Sequence, residues 1–325
     1  MLLPAHAYVR PGSLDDCLIA LREAGDAGQI VAGGTDVIFN MRLKLFRPET
    51  VISVRKLREL QDIEPLPDGG VRIGAACRLH DLTEHPLLNG RWPAFTDAIR
   101  QLASRHVRNM GTLGGNICLK TRCWYTNNSA QWRAGRAGCF KTDGQLCHVI
   151  KSSDKCHAIN NADTPVILIA LGATLTIRKV GAERQLPIVD LYHDDGLHNL
   201  ALDVDELVTH VTIPPVDDRT VYVKQAARKG IDFAIGSVAA RCNGAGEWAG
   251  KVTLVLGSVS TAPIVLKEPA AIIESSGLTD EAIERACDAV RDELGEVTNL
   301  YSRAGYKKQV ARVLVRRALQ RLREM

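Results

Sequence analysis

Arg108-Asn109-Met110-Gly111-Thr112-Leu113-Gly114-Gly115-Asn116 is the stretch on which the reading of this chain turns. Glycines at three of the positions from 111 to 115 let a backbone lie close to a ligand with N–H groups free to donate. A helix N-terminus after such a turn adds partial positive charge, which favours an anion. A second segment of the same character, Ala32-Gly33-Gly34-Thr35-Asp36, follows the short apolar strand Gln29 to Ala32. It leads into Val37-Ile38-Phe39-Asn40-Met41, which reads as a helix. Neither segment is Gly-x-Gly-x-x-Gly, so a Rossmann NAD site is not supported. Taken singly, each is also what an ordinary turn looks like.

Around these loops the chain reads as a mixture of helices and strands. Ser13 is placed to N-cap a helix over Leu14 to Ala24, with Gly25 in the position after its end. Strand-like runs at Thr50 to Ser53 and Val71 to Ile73 precede an amphipathic helix near Pro93 to Ser104. Asp163-Thr164-Pro165 opens a short helix with proline at a favoured first position, Gly172 closes it, and a strand follows over Thr174 to Arg178. Pro214-Pro215 marks a boundary, and strands follow around Thr220 to Ala226 and Lys251 to Val259. A helix starts at Thr279 with Asp280 and Glu281 in its first turn. A basic terminal helix carries Val310, Val313, Leu314, Ala318 and Leu322 on one face. The pattern indicates α+β rather than a regular βαβ array.

With 325 residues, 46% hydrophobic and 24% charged, the chain has the composition of an ordinary globular protein of two or three domains. Its longest apolar stretch, Pro165 to Ala173, is far short of the ~20 residues that cross a bilayer. The N-terminus, Met1 to His6, lacks the basic start and long apolar run of a signal peptide, so the expected location is cytoplasmic and no membrane partner is expected. In that compartment clustered cysteines bind metal or do redox chemistry more often than they form disulfides. The net charge of +4 is concentrated. Between Leu119 and Asn160, Lys120, Arg122, Arg133, Arg136, Lys141, Lys151 and Lys155 stand against only Asp143 and Asp154, a surplus of five.

The two glycine loops, in order, resemble the diphosphate-binding loops of the FAD-binding subunits of molybdenum hydroxylases, the family of xanthine and carbon monoxide dehydrogenases. The resemblance continues at Asp163-Thr164-Pro165 to Ala173, at Tyr222-Val223-Lys224-Gln225-Ala226-Ala227-Arg228-Lys229, and from Ala304-Gly305-Tyr306 to Leu319. It implies a two-part FAD-binding region of the vanillyl-alcohol-oxidase (PCMH) type, residues 1–55 and 56–215. A smaller α+β domain of the CO-dehydrogenase flavoprotein type, 216–325, would follow. It further implies that Ala32, Gly33, Gly34, Thr35 and Asp36 hold the FAD diphosphate from one side, and Thr112, Gly114, Gly115 and Asn116 from the other. Asp163 would bond ribityl or ribose hydroxyls. Lys224 would lie near the isoalloxazine, although by itself it reads as a surface lysine at a strand end.

The family pattern passes directly from the Gly-Gly-Asn loop to the Asp-x-Pro helix. Here about 40 further residues, 119–160, intervene and carry Cys123, Cys139, Cys147 and Cys156, separated by 15, 7 and 8 residues. Four thiolates are what a [4Fe–4S] cluster requires. Soft sulfur ligands suit zinc as well, but zinc sites usually show a close Cys-x₂₋₄-Cys knuckle. Only Cys118 and Cys123 come that near, so scattered loop ligands for an iron–sulfur cluster are the better reading. Cys118 belongs to the conventional part of the pattern and reads as a small residue near the flavin. His148 and His157 adjoin two of the cysteines and are possible substitutes. Cys17, Cys77, Cys242 and Cys287 read as core residues.

A four-cysteine insertion in this subunit resembles the β subunits of 4-hydroxybenzoyl-CoA reductases, a branch of the family. That implies electrons entering from a reduced ferredoxin and leaving towards [2Fe–2S] centres and a molybdenum cofactor on partner chains, in a paired heterotrimer. No catalytic residue is expected on this chain. A basic insertion would steer an acidic donor. The competing readings are the flavin subunit of an oxidative molybdenum hydroxylase, a free-standing flavin oxidase, and a zinc-stabilised nucleic-acid-binding protein. The last leaves both glycine loops without a purpose, and no nucleic-acid partner is expected.

Overall fold

A computed structural model describes residues 3–228, 230–295 and 304–325. Lys229 of the Tyr222–Lys229 stretch, and Met1 and Leu2 of the N-terminal stretch, lie outside the described residues.

Three sheets follow one another along the chain. The first is parallel, β1 (Ala7–Val9), β2 (Gly28–Val31) and β3 (Thr50–Ser53) in the order β1-β3-β2. Helix α1 (Leu14–Ala24) connects β1 to β2, and α2 (Val37–Arg42) connects β2 to β3. Ser13 Oγ accepts from Asp16 N–H at 3.1 Å and caps α1, which buries Leu14, Cys17, Leu18 and Leu21 against Ile52, Val54 and Leu57. That cap contributes about 1 kcal/mol.

The second sheet is antiparallel: β4 (Ile63–Pro65), β5 (Val71–Gly74), β6 (Thr174–Lys179), β7 (Ala182–Pro187) and β8 (Leu207–Ile213), in the order β4-β5-β8-β6-β7. Between β5 and β6 come α3 (Leu79–Glu84), α4 (Pro86–Arg91), α5 (Pro93–Arg100), α6 (Arg105–Arg108), α7 (Leu113–Ile117), α8 (Ala130–Ala134) and α9 (Thr164–Ala170). Every residue of α9 is buried, which is why its sequence is apolar all round. It belongs to the largest core, with Phe95, Ile99, Leu113, Leu175 and Val211.

The third sheet is also antiparallel: β9 (Arg219–Ala226), β10 (Ala234–Cys242), β11 (Val252–Gly257) and β12 (Ile264–Val265), in the order β12-β11-β10-β9. One face packs under α10 (Lys267–Ser276), α11 (Asp280–Glu293) and α12 (Ala304–Glu324), burying Val238, Leu254, Ile283, Leu314 and Leu319. The other face contributes Tyr222, Ala239 and Val255 to the core around α9, so the third sheet backs the middle of the chain.

Candidate functional site

A cleft of about 770 Å³ is lined by both glycine segments, within the range of cofactor pockets. Its wall also draws on β2, on Ala75 and Ala76 after β5, on residues between 197 and 208, and on Arg228, Ile231, Asp232 and Phe233 after β9. The two loops touch backbone to backbone: a Cβ built at Gly33 would stand 1.7 Å from the Met110 carbonyl oxygen. Gly34 has φ +73°, a conformation other residues adopt only with strain. Among the described residues no hydrogen bond engages the N–H groups of Gly33, Gly34, Thr35 or Asp36, so this loop keeps a row of donors free.

Several donors of the second loop are engaged within the protein. Gly114 N–H donates to the Ala75 carbonyl, and Gly115 N–H to Thr112 Oγ, which caps α7. Asn116 Oδ1 accepts from both the N–H and the hydroxyl of Thr164, clamping α7 to the start of α9. Thr112, Gly114, Gly115 and Asn116 form a wall of the cleft, and among the described residues the Thr112 N–H is also unengaged.

Asp163 lines the cleft and is 3% exposed. Its Oδ1 accepts from Tyr222 OH at 2.7 Å and its Oδ2 from Lys224 Nζ at 3.0 Å. Burial raises its pKa, with Lys224 and Tyr222 opposing. Two acceptor sites of about four are thus used, and the others remain for ligand hydroxyls. The Lys224 side chain is 5% exposed, and its Nζ donates to Asp163 and to the Gln101 carbonyl. Lys224 stands behind Asp163 and fixes it, because its strand β9 runs at the back of the cleft.

Asn199 also lines the cleft, is 2% exposed, and its Nδ2 has no partner among the described residues. A buried amide donor left unpaired costs about 1–3 kcal/mol, which makes Asn199 a candidate contact for a bound ligand. Nothing in the sequence around it marks it. Free backbone donors, a close-packed glycine contact and an orphaned amide together fit a dinucleotide such as FAD.

Arg122 was counted in the sequence only as one basic residue of the insertion. In the structure it lines the cleft and forms an ion pair with Asp36 across 86 residues of chain. Its guanidinium lies 4.6 Å from the Phe233 ring and 5.9 Å from Phe39. Asp36 also accepts from Asn40, so its carboxylate is turned to these partners while its N–H stays unengaged. Burial raises the Asp36 pKa in spite of Arg122.

Cys123, Cys139, Cys147 and Cys156 line one small cavity of about 10 Å³, with Lys141, Tyr125, Phe140 and His148. Cys118 is elsewhere, on the wall of the large cleft. Burial pushes the Cys123 thiol up to about 11 and raises Cys156. All nine cysteines are free. His148 is committed to the Ala137 carbonyl at 2.8 Å and stacks on Tyr125, and His157 faces Ser153, so neither is needed as a ligand. Among the described residues no group of three or more His, Cys, Asp or Glu is arranged to hold a metal ion. A tetrahedral zinc site brings its sulfurs to about 2.3 Å from one centre, and neither that arrangement nor a ready cluster site is formed among the described residues. The donor chemistry fits an iron–sulfur cluster, but the cavity would have to widen to admit one.

The basic surplus is also smaller at the surface than in the sequence. Arg122 is paired with Asp36 and Lys155 with Asp194. Arg133 donates to the carbonyls of Leu43, Lys44, Thr126 and Asn128, and Lys141 to Thr121. Lys120, Arg136 and Lys151 remain exposed. Much of the charge thus ties the insertion to the rest of the protein.

A parallel sheet, an antiparallel sheet and a cleft bounded by touching glycine loops define a flavoprotein with a two-part FAD-binding region. The chain belongs to the FAD-binding subunit family of the molybdenum hydroxylases: "FAD binding domain in molybdopterin dehydrogenase" matches residues 4–216, and "CO dehydrogenase flavoprotein C-terminal domain" matches 221–322. It is 32% identical over 248 residues to the aldehyde oxidoreductase FAD-binding subunit of Escherichia coli, covering 73% of this chain and 77% of that one. The glyceraldehyde dehydrogenase medium chain of Sulfolobus acidocaldarius is 26% identical and 98% of each chain is covered. The fold matches that of carbon monoxide dehydrogenase from Hydrogenophaga pseudoflava, in a form lacking the Mo-pyranopterin moiety, with a TM-score of 0.83 over 98% of both chains at 22% identity.

Proposed function

We propose that this chain is the electron-transfer flavin subunit of a molybdenum hydroxylase-type complex whose insertion carries an iron–sulfur centre on Cys123, Cys139, Cys147 and Cys156. Its narrowest form is the flavin subunit of a 4-hydroxybenzoyl-CoA reductase, taking low-potential electrons from ferredoxin. The observation that carries the reading is the gathering of four cysteines, spread over 34 residues of chain, around one cavity in the insertion that also supplies Arg122 to the flavin cleft.

When bound, FAD would supply one- and two-electron chemistry, and a [4Fe–4S] cluster one-electron chemistry. The residues here hold and orient. The N–H groups of Gly33, Gly34, Thr35 and Asp36 would donate to the diphosphate, while Asp163, fixed by Lys224 and Tyr222, would accept from hydroxyls. Asn199 would donate to an acceptor of the cofactor. Phe233 and Arg122 shield one edge of the cleft from water. The molybdenum cofactor and [2Fe–2S] centres belong to partner chains in this reading, consistent with relatives described as medium chains and FAD-binding subunits. No helix among the described residues is long and apolar enough to cross a membrane.

A second reading is favoured by the relatives' own names: aldehyde, glyceraldehyde and carbon monoxide oxidising enzymes suggest an oxidative complex. The assembled complex decides between them. Reduced ferredoxin or a low-potential viologen should drive loss of the phenolic hydroxyl from 4-hydroxybenzoyl-CoA. Dye reduction by aldehydes, carbon monoxide or a purine, with no such reductive activity, would replace the reductase reading by the oxidative one.

A further inference from the structure

Lys141 is the cation of the insertion that lines the cavity of the four cysteines, and among the described residues no anion matches it. Its side chain lines the small cavity with Cys123, Cys139, Cys147 and Cys156. Its Nζ donates to the Thr121 carbonyl at 2.8 Å and the Thr121 hydroxyl at 2.6 Å, both neutral. Arg122 and Lys155 each have a carboxylate, whereas among the described residues no carboxylate pairs with Lys141. An ammonium turned inward without a counter-charge is unfavourable. Four thiolates at this cavity would supply the negative charge that the neutral partners of Lys141 do not.

We propose that Lys141 is the charge-compensating residue of the four-cysteine site, a fixed cation that favours an anionic centre there and raises its reduction potential. The inference rests on the iron–sulfur reading above. Four thiolates leave such a cluster with net negative charge, and one-electron reduction makes it more negative. A neighbouring cation stabilises the reduced form more than the oxidised one, and net charge is among the recognised controls of cluster potential. Lys141 acts through charge; it is a positioning residue, not a catalytic one.

The alternative is that Lys141 only holds Thr121, whose hydroxyl donates in turn to the Gly196 carbonyl. Four proteins separate charge from scaffold: the wild type, Lys141→Met, Lys141→Arg and Thr121→Val. Each is purified anaerobically in its complex, assayed for iron and FAD, and titrated reductively with EPR detection. Lys141→Met should shift the cluster midpoint to more negative potential or lose iron, with FAD content unchanged. Lys141→Arg should restore the wild-type behaviour, and Thr121→Val should keep the potential. Equal potentials in wild type and Lys141→Met would overturn the inference, as would loss of iron from Lys141→Met and Lys141→Arg alike. Absence of iron from the wild type would instead overturn the iron–sulfur reading itself.

Discussion

The flavin cleft and the cysteine segment lie side by side and are built by opposite means. The cleft is a backbone construction: regular strands and helices bring two glycine loops into contact, and backbone N–H groups of the first loop are left free. The cysteine segment has one five-residue helix and one short 3₁₀ turn in some 40 residues. It is held by side chains reaching for carbonyls: Arg133 to Leu43 and Lys44, Lys141 to Thr121, Asn128 to Trp124. Backbone-built sites tolerate few substitutions because the main chain itself is the wall. A side-chain-built segment can lose one ligand and leave its neighbour standing. Arg122 joins the two regions, leaving the insertion to pair with Asp36 in the first glycine loop.

That contrast can be broken at several points. The largest effect is expected at Gly33→Val, because even a Cβ there meets the Met110 carbonyl oxygen at 1.7 Å. The loops must part, at a cost on the order of 3 kcal/mol or more, and FAD should be absent from a purified, less heat-stable protein. A variant with full FAD content would contradict the backbone-to-backbone contact. Asp163→Asn comes next. It leaves Lys224, 5% exposed, without its anion, and breaking such a pair costs about 3 kcal/mol. Thermal unfolding should show it, and Lys224→Met with Asp163→Asn should recover part of the loss.

Asn199→Leu should be milder. Losing one hydrogen bond to the ligand costs about 1 kcal/mol, so FAD should bind several-fold more weakly, by fluorescence titration of the apo-protein, with little change in melting temperature. The smallest effect on the flavin is expected from Cys139→Ser. It should abolish iron binding and leave FAD content at the wild-type level, since Cys139 lines only the small cavity. Joint loss of iron and flavin would show that the two regions do not stand independently.

How much of this was legible in the sequence follows the same division. The helix over Leu14 to Ala24 with its Ser13 cap, the strand over Thr50 to Ser53 and the Thr279 cap of α11 all agree with the structure. Local hydrogen bonding and periodicity decide such elements. The glycine loops were legible because close approach at Gly33 and positive φ at Gly34 leave few other residues possible. β8 was not read, although it is the central strand of its sheet, and neither was α10. The roles of Arg122, Lys141 and Asn199 were hidden because each depends on tertiary neighbours. In the sequence Arg122 and Lys141 are two charges in a basic run, yet one closes a flavin cleft and the other faces four thiols. Lys224, which by itself reads as a surface lysine at a strand end, is buried against Asp163, because its partners come from distant parts of the chain.

The central claim is that one chain joins a flavin site to an iron–sulfur site. Iron, acid-labile sulfide, zinc and FAD measured on the anaerobically purified protein test it most directly. The account predicts about four irons and four sulfides for each FAD, the content of one [4Fe–4S] cluster. FAD accompanied by zinc, or by no metal at all, would contradict it: the flavin subunit would stand, and the insertion would be a structural appendage.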